Sequence, residues 1–212
     1  VRCVRLLQSP DPDFAATAVQ LQSRPEADWL HVQTFLRVVP GEQQNLHVFA
    51  AERGKPAGSM WRVANYDEVP EGLVLVELEL YADEYCSKIE VGTHLSPGHR
   101  RGQDPAAAFD VRLATSWRAP CAPCARGQAW LGTSFLQLEA GGDVGDVEPR
   151  AVDIRCVVVL QGAGGYNTSA ASATSSQVLV VERWDGKAFK RVEKFSGVAA
   201  GEFTRLRIGA AA

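Results

Sequence analysis

This 212-residue sequence has no apolar run near the eighteen or so residues that a membrane-crossing helix needs; stretches such as Cys156 to Leu160 are among its longest. No basic-plus-apolar leader follows Val1, so no signal peptide is read there, and a processed chain or a piece of a longer precursor would read the same way. Basic residues are too few and too scattered for a phosphate-backbone footprint: 22 Lys/Arg stand against 25 Asp/Glu, a net charge of −3. That sets nucleic acid aside as a partner. Histidine occurs four times, never at metal-ligand spacing. A Gly-x-Ser-x-Gly, a phosphate loop, a zinc-helix motif and a nucleophile–base pair are all missing, so no catalysis is expected. Gly162-Ala163-Gly164-Gly165 follows a strand-like run, but a Ser/Thr-rich loop comes next, with no helix to receive a dinucleotide.

What is present is an ordinary globular composition, 46% apolar and 22% charged, with room for one large or two small domains. Charge is uneven. Residues 1–86 carry seven Lys/Arg against thirteen Asp/Glu, net −6, and residues 87–212 carry fifteen against twelve, net +3. Asp67 to Glu84 holds seven carboxylates and no base, which reads as a solvated face or edge.

Strand signals dominate. Residues 1–8, 18–22, 30–39, 45–51, 73–81, 89–92, 129–138, 152–161, 177–184, 187–195 and 203–208 are short runs rich in β-branched and aromatic residues, separated by Gly, Pro, Asp and Ser. In 73–81 an alternation puts Val76, Leu78 and Leu80 on one face and Glu77 and Glu79 on the other, the pattern of a half-buried strand. Asp185-Gly186 is a two-residue hairpin signal. Ser96 to Asp104 reads as a polar loop, and residues 105–110 allow one helical turn. Many short strands with hardly a helical period predict an all-β, antiparallel sandwich or barrel.

An internal repeat organises the chain. Residues 1–8, VRCVRLLQ, match 154–161, IRCVVVLQ, at five of eight positions. The offset is 153 there and 160 afterwards, where Gly41-Glu42, Leu46, Val48 and Ala50 answer Gly201-Glu202, Leu206, Ile208 and Ala210. The second copy therefore carries a loop seven residues longer, centred on Gly162 to Ser176.

Three segments resemble the discoidin family, the coagulation factor V/VIII C-type domain. Ala107-Ala108-Phe109-Asp110, Thr115-Ser116-Trp117, and Ala129-Trp130-Leu131-Gly132 with Phe135 are similar to the family's opening. Residues 152–161 and the following hairpin are similar to its central strands, and Trp61-Arg62-Val63-Ala64-Asn65, Glu77-Leu78-Glu79-Leu80-Tyr81 and Cys86 to its closing strands. The resemblance implies a jelly-roll β-sandwich in two partial repeats. Residues 1–86 would be the later part of one domain and 87–212 the opening and middle of the next. Either the chain is a piece of a tandem array, or it is a permuted domain in which 87–153 completes 1–86.

The family also implies function: a non-catalytic module that binds carbohydrate or glycoconjugate in adhesion, or else a structural subunit making protein–protein contacts in a larger assembly. Ligand contacts are expected from His94, His99, Arg100 and Arg101, and from Tyr166 and Asn167 in the enlarged loop. That loop's Gly/Ser/Ala content argues against strong lipid affinity. Asn167-Thr168-Ser169 is a glycosylation sequon in a secretory chain. A structural calcium is implied at Asp110 and Thr115, with Glu79 or Glu77 as the closing-strand carboxylate; Val111 stands where the family has glycine. Trp29, Trp61, Trp117 and Trp130 are expected in the core or at sandwich edges rather than as ligand platforms.

Five cysteines complete the inventory. Zinc lacks nearby ligands for Cys121-Ala-Pro-Cys124, and Pro123 in a loop before a strand does not suit a redox motif. Disulfides in an oxidising compartment fit best, which implies an extracellular, cell-surface or lumenal protein. The expected pairing joins Cys156 to Cys121 or Cys124, with Cys86 bonded inside its own repeat.

Overall fold

β-branched and leucine-rich runs punctuated by Gly and Pro form strands throughout, because such side chains pack on a pleated surface. In chain order these are β1 (Cys3–Leu6), β2 (Ala18–Ser23), β3 (Leu30–Leu36), β4 (Gln44–His47), β5 (Met60–Asn65), β6 (Val74–Tyr81), β7 (Ile89–Glu90), β8 (Thr93–Leu95), β9 (Gly98–Arg100), β10 (Trp117–Arg118), β11 (Trp130–Ser134), β12 (Leu136–Leu138), β13 (Val147–Pro149), β14 (Cys156–Gln161), β15 (Val178–Trp184), β16 (Phe189–Ser196) and β17 (Phe203–Arg207). The structure, a computed structural model, describes residues 3–11, 13, 15–16, 18–23, 30–47, 55–138, 147–162 and 169–209. All pairings among these strands are antiparallel.

Two five-stranded sheets form the main body. One runs β10-β6-β14-β17 with β7 added on β6, the other β16-β15-β5-β11-β8. They share a core in which Trp61 and Val63 of the second sheet meet Leu75, Leu78, Leu80, Val157 and Val159 of the first. The boundary expected after Cys86 therefore falls inside one sandwich: β5 and β6 precede it in sequence, yet pair with β11, β14 and β15 beyond it. Residues 3–47 stand apart with a small cluster of Phe35, Val38 and Leu46, and join the sandwich where β4 pairs with β9.

Local corrections to the sequence reading have physical causes. A register shift between Leu160 and Gln161 moves the phase of β6, so Leu75 joins Leu78 and Leu80 in the core in place of Val76. Glu77, placed on the outer face, is buried. The Asp67–Glu84 run is not a uniformly solvated face either: Asp67 accepts from the Ser176 hydroxyl and the Gln177 amide, and Glu68 pairs with Arg37 at 2.7 Å. The polar loop 96–104 contains β9. The 105–110 turn is a 3-10 helix over Pro105–Ala108, capped by Asp104. The hairpin after β15 uses four residues, with the Asp185 carboxylate accepting from the Lys187 and Ala188 amides at 2.8 Å. The enlarged loop includes a short helix, α1 (Ser169–Ala173); Tyr166, Asn167 and Thr168 lie outside the described residues, as does Trp29.

Disulfide pairing also departs from expectation. Cys86 bonds Cys156, with Cα atoms 5.4 Å apart, and Cys121 bonds Cys124; Cys3 is free and exposed. The cause lies in the β6–β14 ladder. Tyr81 sits opposite Cys156, and the turn after it returns Cys86 to the same point.

The seam between residues 3–47 and the sandwich is polar. Asn45 Nδ2 lies 2.8 Å from His99 Nε2, Ser96 Oγ lies 3.1 Å from His47 Nδ1, and the two imidazole rings meet edge to face at 5.2 Å. Burial pushes both imidazoles below the usual histidine value; the neighbouring His47 lowers His99 further, and Asp104 opposes the shift. The unfolded chain therefore takes up these protons first as pH falls. The stability they contribute is fully present above about pH 6.5 and is lost as pH drops through that value toward the folded ones. Amide exchange at 44–47 and 98–100 is expected to speed up at pH 5.5 relative to pH 7.5, after correction for intrinsic rates. Paired His47→Gln and His99→Gln changes should flatten that difference, and equal protection at both pH values would contradict the assignment.

Candidate functional site

The residues expected to bind ligand do not form one site: Arg100 and Arg101 share a cleft, and His94 and His99 lie elsewhere. His99, on β9, is held at the seam by its contacts with Asn45 and His47, with its Nδ1 buried and unpartnered. Arg100 is buried, lies 3.3 Å from the Glu42 carboxylate and donates to the Glu71 carbonyl. Both hold the seam. Arg101 is exposed, on the rim of an open cleft of ≈ 440 Å³ that Arg100 also lines, with Leu7, Gly41, Glu42, Gln43 and Gln103. His94 alone faces a different place, a recess of ≈ 50 Å³ against the outer part of β6.

That recess is built from four short elements. β6 supplies Glu77 and Glu79, β7 and its exit supply Ile89 to Gly92, β8 supplies His94, and the 3-10 turn delivers Phe109. Asp104 accepts from the Ala106 amide at 3.0 Å and Pro105 starts the turn, so the position of Phe109 follows from the local sequence. The His94 and Phe109 rings are stacked, with centroids 4.1 Å apart and planes 2° from parallel. Burial pushes the His94 imidazole below its usual value, so it stacks as a neutral ring near pH 7. Ile89, Val91 and Val111 form an exposed apolar rim.

Glu77 is the chemical feature of the recess. Only 2% of the residue is exposed; Oε1 accepts from the Val111 amide at 3.0 Å, while Oε2 is buried without a hydrogen-bond partner. Burial pushes its carboxyl above the usual range; the Val111 amide opposes this, and the charges of Asp110 and Glu79 reinforce it. A buried acceptor left unmet costs about 1–3 kcal/mol. The recess exceeds the room one water needs, and it admits a single pendant group of a larger ligand rather than a whole ring.

The turn beneath is compact. The Thr115 hydroxyl has both Asp110 carboxylate oxygens at 2.9 Å and the Arg112 carbonyl at 2.8 Å as acceptors within reach of its one hydrogen, and the Arg112 amide donates to Asp110 at 2.9 Å. Val111, in glycine's place, takes φ 59°, so the left-handed turn is kept with a β-branched residue. The closing-strand carboxylate that feels Asp110 is Glu77. Glu79 is instead engaged by the Tyr81 hydroxyl at 2.6 Å, and burial together with that bond pushes the tyrosine up to about 12. Among the described residues no group of three or more His, Cys, Asp or Glu side chains is placed to hold a metal. The hard oxygen donors present are the Asp110 and Glu77 carboxylates and the Thr115 hydroxyl, and Glu77 Oε2, though buried, has no hydrogen-bond partner.

Sequence reasoning reached His94, Asp110 and Thr115 and named Glu77 beside Glu79. It missed Phe109 as a wall of the site, although Phe109 lies next to Asp110. Of the tryptophans, Trp61 and Trp117 belong to the main core, and Trp130 packs with Ala64 and Val180 on the far face of the second sheet. Comparison with known proteins returns no matching family model, no matching curated protein and no matching solved structure.

Proposed function

We propose that this chain is a non-catalytic recognition module, discoidin-like in kind, that binds carbohydrate or glycoconjugate through the recess on β6. One observation carries the reading: Glu77, whose Oε2 is buried without a hydrogen-bond partner, lines a recess walled by the stacked His94 and Phe109 rings. A carboxylate acceptor beside a flat ring face suits a sugar, whose hydroxyls donate and whose C–H face is apolar. The two disulfides suit an oxidising compartment, outside the cell, at its surface or in an organelle lumen, and no helix among the described residues is long and apolar enough to cross a membrane.

The test is a glycan array probed with the full chain, with millimolar calcium and with chelator, followed by calorimetry on any hit. Binding should weaken roughly tenfold or more in Glu77→Gln, since a hydrogen bond to a charged group contributes about 1.5–3 kcal/mol, and also in Phe109→Ala. An array without hits, or hits that both variants bind at full strength, would remove the reading. Calcium, if held at Asp110, Thr115 and Glu77, should stabilise the chain by about 1.4 kcal/mol at ten times its dissociation constant. Thermal unfolding with Asp110→Ala checks this, because the variant should lose the shift.

A second reading, a structural or accessory subunit, is favoured by the sheet edges of residues 3–47. β1 and β2 each end a sheet, and an open edge is a template for another strand.

A further inference from the structure

Six residues of the large core and its margin have counterparts, position for position, in residues 3–47. An offset of 153 in β1 and of 160 in β2 to β4 carries Leu6, Val19, Leu21, Phe35, Val38 and Leu46 onto Val159, Leu179, Val181, Phe195, Val198 and Leu206. The first six form the small cluster, and their six counterparts belong to or pack on the main core. The ladders carry the same offsets. Cys3 opposite His47 becomes Cys156 opposite Arg207, and Val19 opposite Phe35 becomes Leu179 opposite Phe195. A register shift follows Leu21 in β2 and Val181 in β15. Arg37 takes φ 55° where Gly197 takes 72°, and Gly41 takes 73° where Gly201 takes 74°.

Two edges differ between the halves. β14 lies between β17 and β6, and β15 between β16 and β5. Their counterparts β1 and β2 pair, among the described residues, with β4 and β3 alone. Burial reports what is missing: Leu160 is 1% exposed and its counterpart Leu7 is 66% exposed. Leu6, Val19 and Leu21 are only partly buried where Val159, Leu179 and Val181 are fully enclosed.

We infer that residues 3–47 are an open acceptor for a closing strand pair donated by another polypeptide, with the chemistry of β5 and β6. The β5 and β6 described above already close the sandwich on β15 and β14, so they are not free to close residues 3–47 as well. Transferring the observed registers places a donor residue like Tyr81 opposite Cys3, one like Glu79 opposite Arg5 and one like Val63 opposite Leu21. In the sandwich Glu79 faces Val158; the acceptor has Arg5 at that position, so it selects an acidic residue there. Cys3 occupies the place of Cys156, which bonds Cys86. A donor cysteine five residues beyond the tyrosine can thus be captured. The two thiols form one S–S bond, and their two protons and two electrons reduce glutathione disulfide to two glutathione molecules. This inference is independent of the carbohydrate reading.

The test titrates the full chain with a probe of residues 55–86 fused to a soluble carrier, in a glutathione redox buffer. A saturable one-to-one complex is expected, with a Cys3–Cys86 cross-link found by peptide mapping. Cys3→Ser should abolish the cross-link and keep the non-covalent complex. Arg5→Glu should weaken binding roughly tenfold, and Glu79→Arg in the probe should restore it. The idea fails if binding does not saturate by about 100 μM, if the adduct maps to Cys156 through displacement of the chain's own strands, or if the charge swap does not rescue.

Discussion

Replacing Cys86 and Cys156 together by alanine is expected to lower the stability of the chain by about 4 kcal/mol, and replacing Cys121 and Cys124 by about 2 kcal/mol at most. The difference comes from the loop each bond closes. Cys86 and Cys156 are 70 residues apart, so their bond removes much of the unfolded chain's freedom, whereas Cys121 and Cys124 are separated by three. The longer bond is also prepared by local structure. The Asp83 carboxylate accepts from the Tyr85, Ser87 and Lys88 amides, turning the chain after β6 so that Cys86, at φ 56°, comes back over Cys156. These bonds draw the Asp83 carboxyl below its usual value. Urea unfolding of the two double variants measures the contrast directly. Equal losses would show that chain closure is not what the long bond supplies, and alkylation of the native protein should label one thiol, Cys3.

Much of this architecture was legible in the sequence because it rests on local patterns. β-branched runs between turn residues located β1 to β4, β6 and β14 to β17 to within a few residues. The turn glycines Gly41 and Gly201 were legible too, and each takes a positive φ. What was not legible depends on long-range pairing. β9 has only Gly98, His99 and Arg100, and it is a strand because β4 lies beside it, with Asn45 opposite His99. The cysteine pairing followed from the β6–β14 register, which no spacing in the chain encodes. The burial of Glu77 follows from the same ladder. Alternation alone put it on a solvated face; β14 on one side and Val111 on the other enclose it. The candidate site was therefore half visible. Its turn residues were named, but the aromatic wall and the choice between Glu77 and Glu79 needed the fold.

Trp117→Ala is expected to cost about 3–5 kcal/mol, as full truncation of a buried tryptophan does, and to release residues 3–47 from the sandwich. Trp117 is wholly buried in the main core, on β10, opposite Leu75 of β6. Its indole N–H donates to the Gly98 carbonyl at 2.9 Å. Gly98 in turn pairs with Leu46, and a Cβ there would stand 2.3 Å from the Asn45 carbonyl oxygen, so β4 approaches β9 closely at this point. One side chain thus fills the core and fixes the strand that carries the appended half. Trp117→Phe separates the two roles. It keeps most of the apolar volume but removes the indole N–H; the Ser96 hydroxyl, 3.2 Å from the Gly98 carbonyl, remains as a donor, so the loss is about 0.5–1.5 kcal/mol for one hydrogen bond. In urea unfolding the phenylalanine variant should lie well above the alanine variant. In amide exchange, both should lose protection at 44–47 and 98–100 ahead of the strands β5, β6 and β14. Seam amides that stay protected in the phenylalanine variant would show that β4, and not the indole, holds β9 in place.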